Sequence, residues 1–204
     1  MAGLIYTANI DGYDSPKAIH VREDGVSYEV FDELNLPGQS PLFAARQLKV
    51  MTPFAMPGFD WYLWLDATMQ IKAPVMPLIE KLLASPHDFA AFKHNEWQCS
   101  YREITACIER KKDDPINMLK ARALLEKEKL PKNFGQPATG VLWRRNTEAV
   151  KAHALAWWLD MQATTLRDQC TFMLNLWQQK TYIEWIPGLH TDNKWFDYHR
   201  GHLK

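Results

Sequence analysis

The chain has 204 residues, 47% of them hydrophobic, enough to bury a substantial core as one domain over 1–204. Its 24 Lys and Arg balance 24 Asp and Glu, so total charge gives no case for wrapping a nucleic-acid backbone. Cys99, Cys107 and Cys170 are irregularly spaced and suit reduced thiols rather than a disulfide frame or zinc site, and no apolar stretch reaches membrane-spanning length, so a cytoplasmic chain without a membrane span is expected.

Leu4 to Ala8 reads as a first strand, ended by the turn-rich Asp11-Gly12-Tyr13-Asp14-Ser15-Pro16. Ser27 to Phe31 reads as a second, with Asp32 at its end. Ser40-Pro41 supplies an N-cap and a first-turn proline for a helix to about Val50, on which Arg46 and Lys49 share a face. Trp61 to Leu65 is a buried strand ending in Asp66, a carboxylate with no cation near it in sequence. In open α/β sheets ligands bind beyond the carboxyl ends of strands, so Asp66 is placed to meet a divalent metal escorting a diphosphate, or else to serve as a turn or cap residue.

Pro77 to Leu83 is then a helix, Phe89 to Phe92 a strand leading into Lys93-His94, and Asp114-Pro115 the start of a charged helix ending before Pro131. Gly140 to Trp143 is a short strand. Asn146 or Thr147 caps a helix whose Val150, Ala154, Trp157, Trp158 and Met161 recur at core spacing, and a last helix opens near Arg167-Asp168-Gln169 and buries Cys170, Met173, Leu174 and Trp177. Alternating strands and helices make the fold class α/β.

Three segments in this order carry a resemblance. W-L-D-A-T-M-Q-I resembles the metal-binding strand end of glycosyltransferases with the A-type (GT-A) fold, where an Asp-x-Asp-like motif holds a divalent cation against a nucleotide-sugar diphosphate. P-A-T-G-V-L-W-R-R-N is similar to the segment lining their sugar and acceptor pocket, and R-D-Q-C-T-F-M-L-N-L-W to their Asp-Gln helix start. The nearest match is the glycosyltransferase-like family first described as a domain of unknown function and later named after plant mucilage and turgor proteins. Its W-I-D-G-like segment, its K-H followed by an aromatic and acidic stretch, its tryptophan-rich helix and its R-D-Q correspond to Trp64-Leu65-Asp66-Ala67, to Lys93-His94 with Tyr101 and Glu103, to Trp157-Trp158, and to Arg167-Asp168-Gln169. One position departs: Thr68 stands where the second acid of Asp-x-Asp would be.

The resemblance implies a single-domain, Rossmann-like mixed sheet flanked by helices, and transfer of a sugar from a nucleotide diphosphate sugar, UDP-linked, to a hydroxyl on a glycan or a hydroxylated DNA base. It implies Mn²⁺ or Mg²⁺ held by Asp66 and a histidine near the C-terminus, with His190 ahead of His199 and His202. It places the nucleotide at Thr7, Ala8, Tyr13 and Asp32, the diphosphate near Arg46 and Lys49, and the sugar at His94, Thr139, Gly140 and Arg167, with Asp168 and Gln169 as catalytic candidates. For Asp168 the structural alternative is an N-cap paired with Arg167, and for His94 a strand-end hydrogen bond. The other readings of the whole chain are a non-catalytic nucleotide-sugar-binding module and a structural protein whose nine tryptophans fill a core.

Overall fold

In the computed structural model, residues 1–12, 22–32 and 39–199 are described. Short strands and helices alternate as the sequence leads one to expect: β1 (Gly3–Ala8), β2 (Val26–Phe31), α1 (Pro41–Ala55), β3 (Trp61–Leu65), β4 (Met69–Ile71), α2 (Met76–Ala84), β5 (Phe89–Lys93), α3 (Ser100–Glu109), α4 (Pro115–Lys127), β6 (Pro137–Arg145), α5 (Glu148–Ala163), α6 (Phe172–Gln178), β7 (Ile183–Trp185) and β8 (Phe196–Tyr198). The helix starts follow capping chemistry. Ser40 accepts from Phe43 N at 3.2 Å, Asp114 from Ile116 N at 2.8 Å and Thr147 from Val150 N at 3.3 Å. α2 lacks a local side-chain cap, and the Glu23 carboxylate crosses to accept from Val75 N and Met76 N instead.

Six strands form one mixed sheet in the order β2-β1-β3-β6-β5-β7, and β4 pairs with β8 in a separate ribbon. β1 runs parallel to β2 and β3, whereas β6 is antiparallel to both β3 and β5. Side chains alternate across the central strands. Tyr6, Tyr62 and Trp64 pack toward α1 and α5, while Ile5, Trp61, Leu63 and Leu65 pack toward α2 and the ribbon. Both faces are therefore covered, which is why β3 is apolar at every position. A third cluster joins α3 and α4 to Cys170 and Leu174.

Several boundaries differ from the sequence expectation. α1 continues past Val50 to Ala55 despite Pro53, and β6 has nine residues rather than four. α3, β4, β7 and β8 carry no clear sequence signal. Trp177, expected in the core, is 38% exposed. The sheet brings three chain segments to one edge: the end of β1, the end of β3 at Asp66, and Thr139-Gly140 of β6, whose carbonyl at Gly140 accepts from Asp66 N at 2.8 Å.

Candidate active site

The side chains at this edge are organised by a lysine. α1 crosses the face of the sheet so that Lys49, with no solvent exposure, places Nζ 2.6 Å from Asp168 Oδ2 and 3.2 Å from Asp66 Oδ1. The ammonium also lies 3.2 Å from Thr139 Oγ1, and that hydroxyl donates to Asp168 Oδ2 at 2.6 Å. Trp64 completes the cluster: its Nε1 donates to Asp66 Oδ1 at 2.6 Å, and its ring lies 5.5 Å from Lys49 Nζ. The carboxylate that lacks a cation in sequence thus has one in space. Lys49 is turned inward between the two acids. Asp66 also opens a tight turn, its carbonyl accepting from Met69 N at 2.7 Å.

Asp168 sits in a 3-10 turn (Asp168–Cys170) and its side chain caps no helix; Arg167 holds the N-cap position without a side-chain cap bond. Instead the carboxylate faces Lys49 and Arg46, whose Nη1 is 3.6 Å away. Burial pushes this carboxyl up, but the charges of Arg46 and Lys49 and the hydrogen bonds from Lys49 and Thr139 outweigh it and hold it well below the usual carboxylate range. Held ionised near neutral pH and shielded from water, it is suited to stabilising positive charge.

A cleft of about 510 Å³ opens over this cluster, lined among others by Ala8, Asn9, Ser40, Arg46, Asp66, Thr68 and Arg167. Nε of Arg46 and Nε of Arg167 are buried without a hydrogen-bond partner among the described residues. Both side chains line the cleft, and guanidinium groups there suit an anionic ligand. Three cations, Arg46, Lys49 and Arg167, here face two carboxylates.

The other sequence-predicted positions divide. Ala8 lines the cleft; Thr7 lies beside it in β1 with Oγ1 buried and unpartnered among the described residues, and exposed Asp32 follows β2. Tyr13 and His202 lie outside the described residues. Gln169 donates Nε2 to Pro137 O at 2.8 Å, tying the 3-10 turn to β6. Gly140 approaches Asp66 so closely that an added Cβ would lie 3.3 Å from Oδ2. His94 Nδ1 accepts from Glu96 N at 3.2 Å, its ring stacks on Trp97 with centroids 4.6 Å apart, and Nε2 is 3.6 Å from buried Glu103. The sequence places Trp64 in a buried strand and in the W-I-D-G-like segment but gives no sign of its hydrogen bond to Asp66, and it gives no local signal for the contact of Asn95 with His190.

His190 lies beyond Asp66 in the C-terminal segment. Its Nδ1 is 3.2 Å from Asn95 Oδ1, and Asn95 Nδ2 donates to Thr191 Oγ1 at 3.0 Å, which turns the amide oxygen toward the ring. With the amide oxygen facing the ring, the tautomer that satisfies this contact has its proton on Nδ1 and leaves the Nε2 lone pair free. Burial and nearby His94 push this imidazole down, opposed by the Asp66 charge. Neutral His190 and Oδ2 of Asp66 are chemically fit to be metal donors. Among the described residues no three His, Cys, Asp or Glu side chains gather to hold an ion, so phosphates and water would have to complete any shell.

Residues 44–195, well over half of the chain, match the family model described as TOD1/MUCI70, glycosyltransferase-like domain. No curated protein matches the sequence. Among solved structures, a glycosyltransferase involved in the glycosylation of the major capsid of PBCV-1 is 12% identical with a TM-score of 0.54, covering 97% of this chain and 92% of that one. Mouse xyloside xylosyltransferase 1 is 10% identical with a TM-score of 0.47, covering 91% and 84%. Galactosyltransferase LgtC, in complex with donor and acceptor sugar analogues, is 11% identical with a TM-score of 0.39, covering 84% and 70%. The first of these shows the fold: the six-stranded mixed sheet flanked by helices is that of A-type glycosyltransferases.

Proposed function

Because the chain belongs to the TOD1/MUCI70 glycosyltransferase-like family, we propose that it moves a sugar from a uridine diphosphate sugar to an acceptor hydroxyl. The observation that carries this reading is the buried Lys49 ammonium bridging Asp66 and Asp168 beneath a cleft with two under-used guanidinium groups. Arg46 and Arg167 would neutralise the charge that grows on the departing diphosphate. Thr139, Gly140 and Gln169 would flank the sugar, and the ionised Asp168 would stabilise the positive charge that develops at its anomeric carbon. Thr7, Ala8, Tyr13 and Asp32 would border the nucleoside. Asp66 Oδ2 and His190 Nε2 would hold a Mn²⁺ or Mg²⁺ ion, which when bound supplies further charge neutralisation at the diphosphate. A glycan hydroxyl is the favoured acceptor over a hydroxylated DNA base, because the balanced charge offers no general attraction to a nucleic-acid backbone.

Calorimetry with uridine diphosphate, with Mn²⁺ and with chelator, tests the site, and mass spectrometry of a panel of UDP-sugars tests transfer to water. Binding that tightens with metal, together with release of one sugar, is expected. Absence of nucleotide binding overturns the reading. Binding without turnover of any donor, even with acceptor glycans added, favours the non-catalytic module, which Thr68 in the second acid position allows.

A further inference from the structure

Arg144 on β6 is fully buried and makes no ion pair among the described residues. Removing a guanidinium from water without a counter-charge costs several kcal/mol by order of magnitude, and its hydrogen bonds must offset that cost. All of them go to one place. Nη2 donates to Lys49 O at 2.5 Å and also contacts the Tyr6 hydroxyl; Nη1 donates to Val50 O at 2.9 Å; and the Tyr6 hydroxyl itself donates to Lys49 O at 2.8 Å.

The reason Lys49 O is available lies four residues on. Pro53 stands inside α1 and has no N–H, so the helical bond that would close on the Lys49 carbonyl cannot form. Such a carbonyl buried without a donor is costly, and the helix would bend or end there. Two side chains from two strands supply the missing donors at that point. Tyr6 then packs edge-on against Trp64, ring centroids 5.2 Å apart, and Trp64 holds Asp66 and lies against the Lys49 ammonium. The backbone of Lys49 and its side-chain head are thus gripped by one connected set of residues.

We propose that Arg144 and Tyr6 are positioning residues for the transfer site: by occupying the carbonyl that Pro53 leaves free, they fix the backbone of Lys49 so that its ammonium falls between Asp66 and Asp168. The proposal rests on the reading of that cluster as the sugar-transfer site, but its geometric half stands on Lys49 alone. Neither residue touches the cleft in this arrangement. Their effect is transmitted through Lys49, where a displacement on the order of 1 Å is enough to cost about a hundredfold in rate.

The test compares Tyr6→Phe, which removes one hydroxyl, and Arg144→Met, which removes the guanidinium, by NMR of lysine labelled with ¹⁵N, the Lys49 signal being identified by its loss in Lys49→Met. A buried, bonded ammonium exchanges its protons slowly and gives a resolved signal. In both variants we expect that signal to broaden or vanish at a pH where the fold is retained by thermal melting. For any donor the wild type turns over, kcat should drop tenfold to about a hundredfold, with KM changed much less. If Arg144→Met does not fold, Tyr6→Phe alone decides. An unchanged Lys49 signal in a folded variant overturns the proposal. Loss of the signal alongside a wild type that turns over no donor would keep the positioning and remove the transferase reading, so the two failures are distinct.

Discussion

At the scale of single residues, Asp66 and Asp168 share one ammonium but differ in their access to water, and that difference separates what each substitution should do. The Asp66 side chain is 37% exposed and keeps Oδ2 free of the Lys49 contact, whereas Asp168 is 4% exposed in its side chain and faces two cations. Asp66→Asn leaves Lys49 paired with Asp168, so stability should change little while donor turnover falls by about a hundredfold or more, the usual scale for removing one electrostatic stabiliser. Asp168→Asn strands a buried ammonium and a guanidinium with less compensating charge, so it should cost about 3–5 kcal/mol of stability as well as turnover. Urea unfolding of the two variants beside the wild type, with hydrolysis of the best donor as the second readout, checks both. Equal stability loss at the two positions would contradict the assignment. The two acids were legible in the sequence because each sits in a recognisable motif. Their common partner was only half legible: Lys49 could be seen to share a helix face with Arg46, but that the face points inward depends on how α1 lies across the sheet.

At the scale of elements, legibility followed the strength of local chemistry. α1, α4 and α5 open on side-chain caps and are legible at their starts; α2, which has none, is legible too, whereas α3, which lacks a side-chain cap bond and follows an aromatic loop, is not. The three-residue strands β4, β7 and β8 exist through pairing with distant partners, and so short a stretch has no period to read. The length of α1 was underestimated because a proline ordinarily stops a helix, and here two strands supply what the proline withholds. For β6 the sequence marks only Gly140 to Trp143, yet the strand runs from Pro137 to Arg145 and so carries Thr139, Gly140 and Arg144 on one element. At Gly140 β6 lies tight against the end of β3, where an added Cβ would meet Asp66 Oδ2 at 3.3 Å. Trp64 and Lys49 restrain the other oxygen, so the carboxylate has little room to retreat. Gly140→Ala should therefore keep the fold and its thermal midpoint nearly unchanged while weakening, severalfold, the gain in uridine diphosphate affinity that Mn²⁺ provides. Calorimetry with and without metal measures that gain; an intact gain would show that Asp66 Oδ2 is not its source.

At the scale of the whole molecule, the balanced charge and a pI near 7.1 mean that general self-repulsion is small close to neutrality, so the response to mild acid is governed by particular buried groups. His153 on α5 is the clearest of them. It is fully buried among Phe89, Trp157 and Phe172, with ring centroids 4.7, 5.6 and 4.8 Å away, and Nε2 lies 3.2 Å from Phe172 O. Burial pushes this imidazole down to about 3; the Phe172 carbonyl opposes the shift and Arg144 adds to it. In the unfolded chain the same group titrates near 6.5. Between those values the unfolded state binds the extra proton, so stability rises with pH: the contribution is complete above about pH 6.5 and is lost as pH falls toward 3, with a slope approaching 1.4 kcal/mol per pH unit. Asp168 has the same sign but acts lower, because its pairing is lost only below the ordinary carboxylate range. The two are separable by pH. In His153→Phe the aromatic surroundings persist but the titration does not, so urea unfolding followed from pH 6 to pH 4 should show a slope smaller by about one proton than in the wild type, whatever the absolute cost of losing the bond to Phe172 O. A slope unchanged by the substitution would mean that His153 takes up its proton in the folded state, and that the acid sensitivity of the fold must be sought among the exposed histidines and the paired carboxylates instead.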